Sequence, residues 1–202
     1  MFIVIEGADG TGKTTQANML IAHMRTMGLQ VLPLVFPSNR PAGQAARHLL
    51  RTKGQDMTHK ALITQAVMTS DRYDHVDLIR MHLRQGGCIV SVRWWQSGFV
   101  YGAVEGLDTT WLAAIHASLP AADLNILLDM PLDLMMQRIS ERAQAAERYE
   151  TRAFQERVKQ GYLLHWKDND SWPIIKVEDH TPEEVHALIR QLVVRHHRLR
   201  QS

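Results

Sequence analysis

The chain has 202 residues, 45% of them hydrophobic, enough for one substantial core and too few to require two. Its 23 Lys and Arg nearly balance 21 Asp and Glu, so composition gives no reason to expect a nucleic-acid polymer as partner. The single cysteine, Cys88, excludes an internal disulfide framework and a thiol zinc site, which fits a reducing, cytoplasmic setting, and no apolar run is long enough for a membrane span or signal peptide.

Taken in order, short apolar runs alternate with longer segments of helical period. This pattern predicts an α/β fold of three layers, a five-stranded parallel sheet flanked by helices, in one domain over residues 1–202. The strands are expected at Phe2 to Glu6, Gln30 to Val35, Ile89 to Val92, Leu124 to Asp129 and Ile174 to Val177, each buried on both faces. Ala17, Leu20, Ile21 and Met24 fall at i, i+3, i+4 and i+7, predicting an amphipathic helix after Lys13 that Gly28 stops. Leu62, Ala66, Thr69, Val76, Ile79 and Leu83 trace a stripe on one longer helix. Arg138 and Arg142 share a face of a helix starting near Pro131, and the polar stretch Glu141 to Thr151, with Arg148, reads as a short lid. Thr181, Pro182 and Glu184 form a capping box ahead of the stripe Val185, Leu188, Ile189 and Leu192.

The most specific motif follows the first strand. Gly7-Ala8-Asp9-Gly10-Thr11-Gly12-Lys13-Thr14 fits G-x-x-x-x-G-K-[ST] between a strand and a helix, where glycines let backbone amides turn around a phosphate and the helix N-terminus favours the anion. Lys13 is placed to bridge the β- and γ-phosphates of ATP and the Thr14 hydroxyl to ligate Mg2+. Motors, GTPases and small-molecule kinases all use such a cradle, so the motif alone leaves the reaction open. A phosphate acceptor beside a triphosphate needs fixed cations, and Arg93, just past the end of the third strand, stands where α/β sheets bind ligands.

From here the residues resemble thymidylate kinases. Glu6 to Gln16 is similar to the opening of that family, with an acidic residue at Asp9. Phe36-Pro37, Ser70-Asp71-Arg72, and Arg93 with Ser97 and Tyr101 recur in the family's order, as does Glu147-Arg148-Tyr149-Glu150 followed by Ala153 to Val158. The resemblance implies transfer of the terminal phosphate of ATP, with Mg2+, to a deoxynucleoside 5′-monophosphate, dTMP foremost, by a homodimer. It implies a donor site of Gly7, Asp9, Gly10, Gly12, Lys13, Thr14, Thr15 and Arg138. It implies an acceptor site of Asp9, Phe36, Pro37, Met68, Arg72, Arg93, Ser97 and Tyr101, in which Arg72 reads the base at its carbonyl edge, Asp9 takes the 3′-hydroxyl and Tyr101 disfavours a ribonucleotide. Lys13, Arg93, Arg142 and Arg148 are the expected catalytic cations.

Three positions depart from the family. Val92 stands where an aspartate precedes the arginine, which leaves Glu6, with Asp129 behind it, as the nearest carboxylate for the metal. Met68 replaces a stacking phenylalanine and Gly102 a glutamine, suggesting a reshaped base pocket for a 5-modified pyrimidine or a broader set of deoxynucleoside monophosphates. Loss of catalysis at Val92, leaving a nucleotide-binding protein, and a kinase for another small acceptor are the other readings.

Overall fold

In the computed structural model, which describes residues 1–52, 57–141, 149–167, 169 and 171–199, five strands form one parallel sheet. They are β1 (Phe2–Glu6), β2 (Val31–Val35), β3 (Cys88–Val92), β4 (Leu124–Asp129) and β5 (Ile174–Lys176), in the order β2-β3-β1-β4-β5. The described helices are α1 (Lys13–Thr26), α2 (Pro41–Arg51), α3 (Met57–Tyr73), α4 (Val76–Arg84), α5 (Trp95–Val104), α6 (Thr109–His116), α7 (Leu132–Ser140), α8 (Arg152–Lys167) and α9 (Pro182–Leu199).

β1 is fully buried, and its side chains alternate between two cores as strand geometry requires. Ile3 and Ile5 join Ala17, Leu20 and Met24 of α1 on one face, while Phe2 and Val4 join Ile79, Ile89 and Trp94 on the other. The central strands β3 and β4 are likewise almost wholly buried. The expectation of two buried faces fails at the sheet's edges, where β2 and β5 expose alternate residues. Pro33, which lacks an amide hydrogen, is accommodated because β2 is an edge.

The single long helix expected across residues 62–83 is two helices, α3 and α4, separated at Asp74 and His75. Its stripe is buried at Thr69, Val76 and Ile79 but needs correction at Leu62 and Ala66, which face solvent whereas Thr64, Gln65 and Arg72 are buried. The apolar count misses the inward face of α3 because that face carries buried polar side chains. At α9 the capping box forms as expected: the Thr181 amide donates to Glu184 Oε2 at 2.8 Å and the Glu184 amide to Thr181 Oγ1 at 3.2 Å.

Two close approaches depend on glycine. A Cβ on Gly102 would stand 2.6 Å from Leu112, so this residue lets α6 pack on α5, and Leu112 fills the vacated volume. Gly161 plays the same part for α8, where a Cβ would lie 3.0 Å from Val100 of α5.

Candidate active site

β1 and β3 pair side by side, so the loops leaving their carboxyl ends meet. The first wraps from Gly7 to Gly12 into α1. Gly7 and Gly10 have φ of 146° and 86°, and a Cβ on Gly10 would lie 2.7 Å from the Met135 carbonyl of α7. Lys13 is buried and its Nζ donates to the Ala8 carbonyl at 2.6 Å, holding the ammonium across the loop's mouth. Thr14 and Thr15 are exposed at the helix start, and Arg138 of α7 donates to the Gly10 carbonyl at 3.5 Å. Gly10, Gly12, Thr15 and Arg138 border a cleft of about 340 Å³ with Gln16, Val177, His180 and Pro182.

The second loop carries Arg93, the one described residue other than glycine with positive φ, 68°. That conformation costs roughly 1–2 kcal/mol and survives because the side chain is fixed from several directions. Its two terminal nitrogens donate to Asp9 Oδ1 at 2.5 Å, Ser97 Oγ at 2.9 Å, Tyr101 OH at 3.1 Å and Tyr162 OH at 3.2 Å. Burial works against its charge, but Tyr101, Asp9, Tyr162 and Glu6 outweigh burial and leave it protonated even more firmly than a free arginine.

Beneath Arg93 sits Glu6, wholly buried. Its Oε1 accepts the amides of Trp94 at 2.7 Å and Ser97 at 3.3 Å, and its Oε2 accepts the hydroxyls of Ser97 at 2.6 Å and Tyr162 at 2.8 Å. A carboxylate so engaged shapes the Arg93 loop, and its surroundings do not favour the expected service as a metal ligand. Asp129 pairs with Lys159. Val92 lies in the core with Val90 and Ile5.

All eight residues expected at the acceptor site, Asp9, Phe36, Pro37, Met68, Arg72, Arg93, Ser97 and Tyr101, surround one cavity of about 100 Å³, joined by Leu50 and Tyr149. Asp71 holds the Phe36-Pro37 wall by accepting from the Ser38 amide at 2.7 Å and hydroxyl at 2.5 Å. Arg72 is 2% exposed, and its Nε and one terminal nitrogen have no partner among the described residues. Burial lowers its pKa to about 10, countered in part by Glu6 and Asp71, so it remains a cation awaiting an acceptor atom. Burial raises the Tyr101 hydroxyl well above its usual range, and it stays neutral beside Asp9. Gly102 does not widen this cavity, since Leu112 occupies its place.

Two residues of α8 complete the site without having been anticipated. Gln155, fully buried, accepts from the Asp9 amide at 2.9 Å while its own amide nitrogen donates to Asp9 Oδ2 at 2.9 Å and the Tyr149 carbonyl at 2.8 Å. Tyr162 links Glu6, Ser97 and Arg93. Their signal was a polar residue inside the buried stripe Gln155, Val158, Tyr162 and Trp166. Arg142 and Arg148, expected as lid cations, lie outside the described residues.

Comparison with known proteins gives a consistent result. The family model described as thymidylate kinase matches residues 5–189. A probable thymidylate kinase of Thermococcus kodakarensis is 31% identical over 201 residues, covering 96% of this chain and 95% of that protein. A thymidylate kinase of Thermomicrobium roseum is 34% identical over 183 residues, 86% of this chain and 85% of that one. Among solved structures, thymidylate kinase from Candida albicans superposes with a TM-score of 0.76 at 25% identity, covering 95% of this chain and 90% of that chain.

Proposed function

Since the chain belongs to the thymidylate kinase family, we propose that its two clefts are the donor and acceptor halves of one active site. The chain is an ATP-dependent nucleoside-monophosphate kinase, and its reaction is phosphorylation of dTMP by ATP to give dTDP and ADP. An inactive nucleotide-binding module, and a kinase directed to other acceptors, are not favoured by these relatives.

The observation that carries the assignment of roles is the pairing of a P-loop with a buried, unpartnered guanidinium in the adjoining cavity. Backbone amides from Gly7 to Thr15 cradle the ATP phosphates and Lys13 leaves the Ala8 carbonyl for the β- and γ-oxygens. Arg138 covers the loop, and Arg142 and Arg148 supply further charge from the lid of this single P-loop domain. Arg93 grips the acceptor phosphate, Asp9 the 3′-hydroxyl, Tyr101 closes the space beside the 2′ carbon, and Met68 lies against the base while Arg72 donates to its carbonyl edge. With both partners held in line, transfer is direct and needs no phosphoenzyme.

Mg2+ fits the exposed Thr14 hydroxyl at the start of α1. Phosphate oxygens and water would supply most of the other ligands. When bound, the ion neutralises charge on the donor oxygens. A helix-packed homodimer is supported by the apolar residues left partly exposed on touching helices, Ile63 of α3, Phe99 of α5 and Trp111 and Ile115 of α6. A cytoplasmic setting is supported by the lone free thiol of Cys88.

Purified protein given ATP, Mg2+ and dTMP is expected to form dTDP and ADP at equal rates. No dTDP above the no-enzyme control would refute the reading.

A further inference from the structure

Behind the acceptor cavity, α3, α5 and α6 converge on one buried imidazole. His116, at the end of α6, is 4% exposed. Its Nδ1 lies 2.7 Å from the Leu112 carbonyl, which can only accept, so Nδ1 carries the proton and Nε2 presents a lone pair. Thr69 Oγ1, 3.1 Å from Nε2, donates to it. Gly98 of α5 provides the space in which this imidazole meets Arg72, because a Cβ there would stand 2.8 Å from Nε2 of His116 and 3.0 Å from a terminal nitrogen of Arg72.

The physical problem at this spot is the guanidinium. A long side chain buried with unpaired nitrogens has several rotamers to choose from, and only one serves the base. A flat neutral ring beside it restricts that choice, and a ring without charge does not oppose the charge of the guanidinium. A protonated ring would do the opposite, and burial together with Arg72 drives the imidazole pKa down to about 3, so it is uncharged in the working range.

We propose that His116 is a positioning residue for acceptor recognition, a neutral imidazole that braces the Arg72 guanidinium at the place from which it donates to the carbonyl edge of the pyrimidine. This rests on the kinase reading above and extends it to a residue that does not line the cavity. A carbonyl accepts from Arg72 whereas the amino group of cytosine cannot, so the brace also serves discrimination between dTMP and dCMP.

His116→Phe keeps a ring and removes both nitrogens, while His116→Gln returns an amide oxygen near the place of Nε2. In steady-state kinetics H116F is expected to raise KM for dTMP about tenfold, with kcat and KM for ATP within about twofold, and to lower the dTMP over dCMP preference similarly. H116Q is expected to recover most of both, and H116F is expected to add nothing once Arg72 is Ala. Should H116F fail to fold, His116→Asn, whose amide reaches only the Nδ1 position, is expected to raise KM for dTMP in its place. An unchanged KM in folded H116F, or in H116N where H116F does not fold, overturns the proposal, as does an undiminished H116F effect in the R72A background. Wild-type protein that makes no dTDP would instead refute the kinase reading itself.

Discussion

The Arg93 guanidinium lies 2.5 Å from the Asp9 carboxylate, joining two loops that are 84 residues apart in sequence. The guanidinium is therefore held in position by the phosphate loop, and in the role proposed above it would meet the acceptor phosphate without first having to be placed. Positions fixed in advance cost little to organise at the moment of reaction. Replacing Arg93 by Lys keeps the charge and loses the fork that reaches four oxygens, so kcat/KM for dTMP is expected to fall about a hundredfold or more, measured by coupled ADP release.

In the role proposed above Lys13 would exchange the Ala8 carbonyl for phosphate oxygens, and only the second partner develops charge during transfer. Lys13→Ala is expected to lower kcat by at least about a hundredfold and to weaken ATP binding, with the circular dichroism spectrum preserved.

Gln155 is expected to behave as part of the site although it stands on α8, outside both loops. Gln155→Ala removes three hydrogen bonds, two of them to Asp9. The thermal midpoint should drop by an amount equivalent to about 2 kcal/mol, and KM for dTMP should rise because Asp9 is then held from the Arg93 and Tyr101 side alone among these contacts.

Glu6→Gln separates a ligand from a scaffold. Gln turns an acceptor of four donors into a group that itself donates, at a site with no water access, so a loss of about 2–3 kcal/mol in denaturant unfolding is expected. The Mg2+ concentration giving half-maximal rate is expected to stay within about twofold, whereas loss of a coordinating group changes metal affinity by tenfold or more.

His116 also sets a pH signature. Unfolded, it takes up a proton near 6.5; folded, only near 3. Between those values the unfolded chain binds more protons, so stability rises with pH, is fully present above about 6.5 and is lost as pH falls toward 3. At pH 5 the loss relative to neutral pH is about 2 kcal/mol. Guanidinium titrations at pH 7 and 5 should show a smaller difference in H116Q than in wild type.

The phosphate loop was legible because its backbone geometry depends on glycines at fixed spacing, and the strands because parallel sheets bury continuous apolar runs. Arg72, Arg93, Ser97 and Tyr101 were placed through the order of motifs, and the cavity gathers them with Met68 and the Phe36-Pro37 wall. The division between α3 and α4 was hidden because apolar spacing continues across Asp74 and His75. Glu6 was read from proximity to the loop alone, which says nothing about the donors arriving from Trp94, Ser97 and Tyr162. Gly102 looked like an opening because one sequence does not reveal that Leu112, ten positions on, closes it.

The seam between α5 and α8 ties the packing of two helices to the setting of Arg93. Gly161 admits Val100 so closely that a methyl group at 161 would stand 3.0 Å from it, and whatever yields along this seam lies next to Tyr162, one of the oxygens that hold Arg93.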